Sequence, residues 1–236
     1  MWPFKRGTQP EELALFSGAL RRALTRPGCP ICRLVRESEE RWIWTLLYEY
    51  TGDPRTHASF SRSFGLCSHH GQLMRRVVEG RRLMTPSGVA RLYETAVREL
   101  KSQLPFPARV RDGCPLCSYA ARTADRHAYF LARLLEGEEW REAFSHSQGL
   151  CWPHLRALLP HADREVRGWI TRDFRGRLEE LERDLIELQR KQRYDVPEEL
   201  SPSEAGSWRE ALWRLGGCTT TGCWWGTTSG RGRSGR

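Results

Sequence analysis

Apolar residues recur three and four positions apart through most of this chain, the spacing of one face of a helix. Val89, Leu92, Ala96 and Leu100 make one such stripe, and Leu34, Val35, Trp42, Leu46, Leu47 and Tyr50 make a broader one. The longest run, Asp163 to about Arg193, sets Phe174, Leu178, Leu181, Leu185 and Leu188 on a single edge. At a rise of about 1.5 Å per residue it would extend about 45 Å. Glu187 and Lys191 lie four apart in it and read as a supporting pair. No stretch alternates with period two, so no strand is expected.

The breaks between stripes fall on helix punctuation. Thr8-Gln9-Pro10-Glu11 is a start signal for a helix ending near Leu24, before Pro27-Gly28. Pro30 opens the next. Gly52-Asp53-Pro54 closes that one and caps a short helix through Phe60, and further helices begin near Cys67 and at Thr85-Pro86. Leu104-Pro105-Phe106-Pro107 cannot continue a helix and is the best place for a boundary. Beyond it, helices are expected from Pro115 to about Leu135, over Glu138–Ser145, from Cys151, over Asp163 to about Arg193, and from Ser201-Pro202-Ser203-Glu204 to Gly216.

The organisation read from this is an N-terminal helix (1–25), a first helical repeat (26–103), a linker (104–113), and a second repeat with the long helix (114–195). A closing helix (196–217) and a tail (218–236) follow. The tail is rich in Thr, Gly, Trp and Arg, lacks any period, and reads as disordered; Cys218 and Cys223 within it are taken as incidental.

At 236 residues the chain is long enough to bury a core. No apolar run reaches the roughly 18 residues of a membrane span. The basic start, Met1 to Arg6, is not followed by a signal-like apolar segment, because Glu11 and Glu12 interrupt it. A cytoplasmic protein is expected. The net charge of +9 points toward polyanions, yet all but Lys5, Lys101 and Lys191 of the 38 basic residues are arginines, largely interleaved with Asp and Glu. Nucleic-acid binding is therefore a secondary reading.

The candidate chemistry lies in two pairs of motifs. Cys29-Pro30-Ile31-Cys32 is followed by Gly65-Leu66-Cys67-Ser68-His69-His70, and Cys114-Pro115-Leu116-Cys117 by Gly149-Leu150-Cys151-Trp152-Pro153-His154. The second pair repeats the first at an offset of 85 and then 84 residues. In a reducing compartment, C-x2-C with C-x2-H supplies three thiolates and an imidazole, the ligand set of a closed tetrahedral zinc site. Taken in chain order, one zinc is expected on Cys29, Cys32, Cys67 and His70 and another on Cys114, Cys117, Cys151 and His154. Alignment with Pro153-His154 selects His70 over His69, leaving His69 beside the first site as an outer contact. An iron–sulfur cluster, a redox disulfide in the CPxC pairs and a Cys–His catalytic dyad are weaker alternatives: thioredoxin-like motifs sit in a βαβ setting, and a closed site leaves no nucleophile free.

With these residues set out, Thr8 to Gly217 resembles an uncharacterised bacterial family of domains of unknown function, family sixty-sixty-two. The resemblance implies a duplicated helical protein and no established activity. The expectation is an all-α fold of two tandem repeats of about four helices, each clipped by one structural zinc at helix starts. Functionally it suggests an interaction or adaptor protein with a protein partner and no catalysis of its own, with a thiol oxidoreductase as a further alternative. A homodimer through 163–193 is also possible.

Overall fold

The protein is described by a computed structural model covering residues 10–80, 85–105 and 112–217. Among these residues there are ten α-helices and one 3-10 turn, and no strand. The helices are α1 (Pro10–Leu24), α2 (Pro30–Glu49), α3 (Pro54–Ser63), α4 (Ser68–Gly80), α5 (Ser87–Ser102), α6 (Pro115–Leu134), α7 (Glu138–Ser145), α8 (Trp152–Leu158), α9 (Arg164–Lys191) and α10 (Pro202–Gly216). Their starts follow the local signals. Asp53 caps α3 by accepting from Thr56 N at 2.8 Å, and Asp163 caps α9 from Val166 N at 2.7 Å. Ser201 and Glu204 close a reciprocal capping box on α10, with Glu204 N donating to Ser201 Oγ at 3.2 Å and Ser201 N to Glu204 Oε2 at 2.7 Å. The tail, 218–236, and much of the expected linker lie outside the described residues.

The chain divides into two compact units, and not at the linker. One, the terminal unit, is Met1–Leu34 with Ala124–Arg236; the other, the inserted unit, is Val35–Thr123. Both boundaries fall inside helices, α2 and α6. The expected division into consecutive halves is corrected accordingly: the second CPxC motif, at the head of α6, belongs with the middle of the chain.

In the inserted unit the core is built from one to three residues of every helix: Ile43 and Leu46 of α2, Phe60 of α3, Leu73, Met74 and Val77 of α4, Leu92 of α5 and Leu116 of α6. Helix α5 packs on α3. Each such side chain, fully buried, stabilises the unit by about 1.5–3 kcal/mol.

The terminal unit buries Leu20 of α1, Leu131 of α6, Phe144 of α7, Leu155 and Leu158 of α8 and Val166 and Ile170 of α9. Phe16 stacks on Phe130 with ring centres 4.0 Å apart. Helix α10 lies along α9 and against α8, and α7 against α1.

One expectation for the long helix changes. Lys191 is held at 2.9 Å by Glu204 of α10, while Glu187 pairs with Arg190 at 2.8 Å. A nearly buried carboxylate across the helix pair competes better for the ammonium than a half-buried one on the same helix.

Candidate metal centres

Each motif folds so that its donors point one way. Cys29 precedes α2 and Cys32 lies in its first turn, with Pro30 at the first helical position, where a missing N–H costs nothing. Cys114, Pro115 and Cys117 repeat this on α6. Cys67 and Cys151 occupy the N-cap positions of α4 and α8: the Cys67 carbonyl accepts from Gly71 N at 2.8 Å and the Cys151 carbonyl from Leu155 N at 2.9 Å. A histidine three residues on is nearly one turn further, which is why C-x2-H brings both side chains to one side. The glycine two residues before each cysteine makes the entry turn. Gly65 has φ +90 and Gly149 φ +74, and a Cβ at Gly65 would sit 2.7 Å from the Tyr93 ring.

The eight sequence-derived ligands gather into two groups, one wholly within each unit. In the terminal unit they are Cys29, Cys32, Cys151 and His154; in the inserted unit, Cys67, His70, Cys114 and Cys117. The residue types agree with expectation and the pairing does not, because each CPxC joins the GLCxxH of the other repeat. The register of α2 supplies the reason. His70 Nε2 lies 3.1 Å from Glu39 Oε1, and Cys32 is seven residues before Glu39, about 10 Å along the helix. An ion on His70 Nδ1 is therefore out of reach of Cys32, and the thiols at the head of α6 take that place.

The spacings fit a tetrahedral ion. Metal–sulfur bonds of about 2.3 Å at tetrahedral angles set sulfurs about 3.8 Å apart, and imidazole nitrogens slightly nearer. Cys32 and Cys151 Sγ are 3.6 Å apart, and Cys67 and Cys117 Sγ 3.7 Å. His154 Nδ1 stands 3.5, 3.2 and 3.1 Å from Cys29, Cys32 and Cys151. His70 Nδ1 stands 3.3, 3.5 and 3.3 Å from Cys67, Cys114 and Cys117.

Electrostatics point the same way. Burial opposes ionisation of Cys29, but hydrogen bonds from Cys151, Cys32 and His154 outweigh it and hold this thiol well below its ordinary value. With charge there, Cys32 is pushed up by its hydrogen bonds to Cys151 and Cys29, then by burial, and Cys151 by its bond to Cys29. In the inserted unit Cys114 is lowered to about 6: burial resists, and the His70 hydrogen bond prevails. Cys117 is raised to about 12 by burial and its bond to Cys67. Without an ion, three convergent thiols cannot all ionise; a divalent cation lets them do so.

Glu39 was not evident as a site residue in the sequence. It is 5 % exposed, and as a carboxylate it accepts a hydrogen bond from His70 Nε2–H, leaving Nδ1 with its lone pair toward the sulfurs. The signal that could have found it is position: Glu39 lies seven residues after Cys32 and four before Ile43, on the apolar face of α2. Without an ion, His70 is raised to about 10; burial opposes this, and hydrogen bonds to Cys114 and Glu39 outweigh it. His69 packs edge-on against His70, ring centres 4.9 Å apart.

The terminal-unit centre is bordered differently. Arg214 of α10, 2 % exposed, donates to the carbonyls of Leu150 at 3.3 Å and Gln148 at 3.0 Å, just ahead of Cys151. The Gln148 side chain accepts from Gly28 N, beside Cys29, at 2.7 Å. A Cβ on Gly217 would lie 3.6 Å from Cys151 Sγ.

Other histidines have ordinary partners. His57 bridges Thr95 and the Thr51 carbonyl, and His161 bonds Asp125. His127 differs: it is 6 % exposed, its Nδ1 has no hydrogen-bond partner, and burial lowers it to about 4.

The fold and sites define a class: a helical protein with two protein-built sets of three thiols and one imidazole, each able to hold a metal ion. No family model, curated protein or solved structure matches the chain. Among the described residues no helix is long and apolar enough to cross a membrane.

Proposed function

We propose that both centres hold zinc in a structural role, and that the protein is a cytoplasmic adaptor whose helices are fixed by these ions for binding a protein partner. The observation that carries this is the donor geometry: four ligands at tetrahedral spacing in each centre, all supplied by the protein, leave no coordination position for water or substrate. Each ion ties the start of one helix to the start of another, α2 to α8 and α4 to α6. The soft thiolate set favours zinc over the harder cations.

A partner-binding role draws support from α10, where Trp208, Leu212 and Leu215 are 44, 67 and 58 % exposed along one side. Elemental analysis of protein purified without added metal is expected to find two zinc ions per chain. Absence of metal, with the site thiols reacting freely, would overturn the reading. Partner capture is expected to be lost in Leu212→Asp with zinc content unchanged; equal capture by wild type and variant would remove the α10 surface from the account.

A further inference from the structure

The two centres are covered very unequally. In the terminal unit Cys29, Cys32 and Cys151 are 2, 6 and 0 % exposed, and the Arg214 and Gln148 hydrogen bonds tie down the turns that carry them. In the inserted unit Cys117 is exposed and Cys67 and Cys114 are half-buried, while the imidazole side, with His70 at 4 % and Glu39 at 5 %, is closed. There the Gly65-Leu66 turn is held by the Tyr93 hydroxyl, which accepts from Leu66 N at 3.3 Å, by Ser63 Oγ, which donates to the Gly65 carbonyl at 2.8 Å, and by Gly65 N, which donates to the Phe60 carbonyl at 3.0 Å. One face of this centre is thus a set of sulfurs open to solvent, with Cys117 and Cys67 Sγ only 3.7 Å apart.

We propose that the inserted-unit centre is a thiol-oxidation site, at which a small peroxide oxidises Cys117 and expels the metal while the terminal-unit centre stays intact. This rests on the reading of both clusters as metal centres. Cys117 Sγ attacks one peroxide oxygen; the S–O bond forms, the O–O bond breaks, and the leaving hydroxide takes a proton to become water. Cys67 or Cys114 Sγ then displaces the sulfenic hydroxyl, forming the S–S bond and releasing a second water with a second proton from solvent. Two electrons pass from the two thiolates to the peroxide. The metal leaves as the divalent ion it was, because one thiolate and His70 remain to hold it. Its loss unties the start of α4 from the start of α6. The same chemistry at Cys29, Cys32 or Cys151 is blocked by burial, since peroxide must reach the sulfur before it can react.

The test begins with a metal count on the full chain, followed by graded hydrogen peroxide in the presence of a chromophoric zinc chelator and disulfide mapping by peptide mass spectrometry. One of the two metal ions is expected to be released, in step with a disulfide joining Cys117 to Cys67 or Cys114, and to be reloaded after dithiothreitol and added zinc. Cys117→His keeps four donors and is expected to slow release about tenfold or more, because the exposed sulfur is gone. Release of both ions together, first disulfides among Cys29, Cys32 and Cys151, or unchanged release from Cys117→His would each overturn the proposal. A chain carrying no metal at the outset would overturn the metal-centre reading itself, and this proposal with it.

Discussion

Glu39 Oε1 lies 3.1 Å from His70 Nε2, with both side chains buried in the inserted unit. A carboxylate accepts and does not donate, so this contact fixes which imidazole nitrogen carries the proton and turns the other toward Cys67, Cys114 and Cys117. Glu39→Gln keeps the shape and removes the charge. It is expected to weaken metal binding at the inserted-unit centre about 10–100-fold and to leave the terminal-unit centre unchanged. Chelator competition on the purified protein checks this: one ion should be stripped at lower chelator concentration than in wild type, the other at the same concentration.

Arg214 is the corresponding anchor of the terminal unit. Arg214→Met fills much of the same space while abandoning the carbonyls of Gln148 and Leu150 and leaving Glu210 without its partner at that end of α10. The loss of these charged hydrogen bonds in a buried place is expected to destabilise the protein by about 2–4 kcal/mol. It is also expected to make the terminal-unit ion accessible to chelator. Urea unfolding and chelator kinetics on the same preparation measure both effects.

His127 is held neutral by burial, at about 4 against an ordinary value of 6.5. The sign follows from proton uptake: between those values the unfolded chain binds a proton that the folded one does not. Stability from this residue is therefore present above about pH 6.5 and lost as pH falls toward 4. Relative to His127→Leu, wild type should lose roughly 2 kcal/mol between pH 7 and pH 5. Urea midpoints of the two proteins at both pH values give the difference, and because both carry the same metal ligands, effects of acid on the centres cancel.

Much of the fold was legible because its signals are local. Pro30 marks a helix start by its fixed backbone angle, and Asp53, Asp163 and the Ser201–Glu204 box do so by hydrogen bonds within a few residues; the structure uses them so. The eight clustered cysteines and histidines were legible for the same reason: C-x2-C and C-x2-H describe single turns. Which motif meets which is decided instead by the length and register of α2 and α6. The order of motifs along the chain carries no information about that. Arg214 escaped notice on a helix whose sequence reads as ordinary amphipathic, since its partners are carbonyls 64 and 66 residues away. Glu39 was hidden by its neighbours Glu37 and Glu40, which make the position look like part of a solvated face, although its spacing from Ile43 says otherwise. Lys191 shows the limit of pairwise rules on one helix: its partner came from α10.

The crossed pairing of the motifs is the claim on which the architecture rests, and metal stoichiometry in two double variants tests it directly. Cys29→Ser with Cys151→Ser removes two ligands from one centre, whereas Cys29→Ser with Cys67→Ser removes one from each. The crossed arrangement predicts that the first variant keeps one metal ion per chain and the second keeps none. One ion kept by the Cys29/Cys67 variant and none by the Cys29/Cys151 variant would show that the motifs pair in chain order, and would contradict the account.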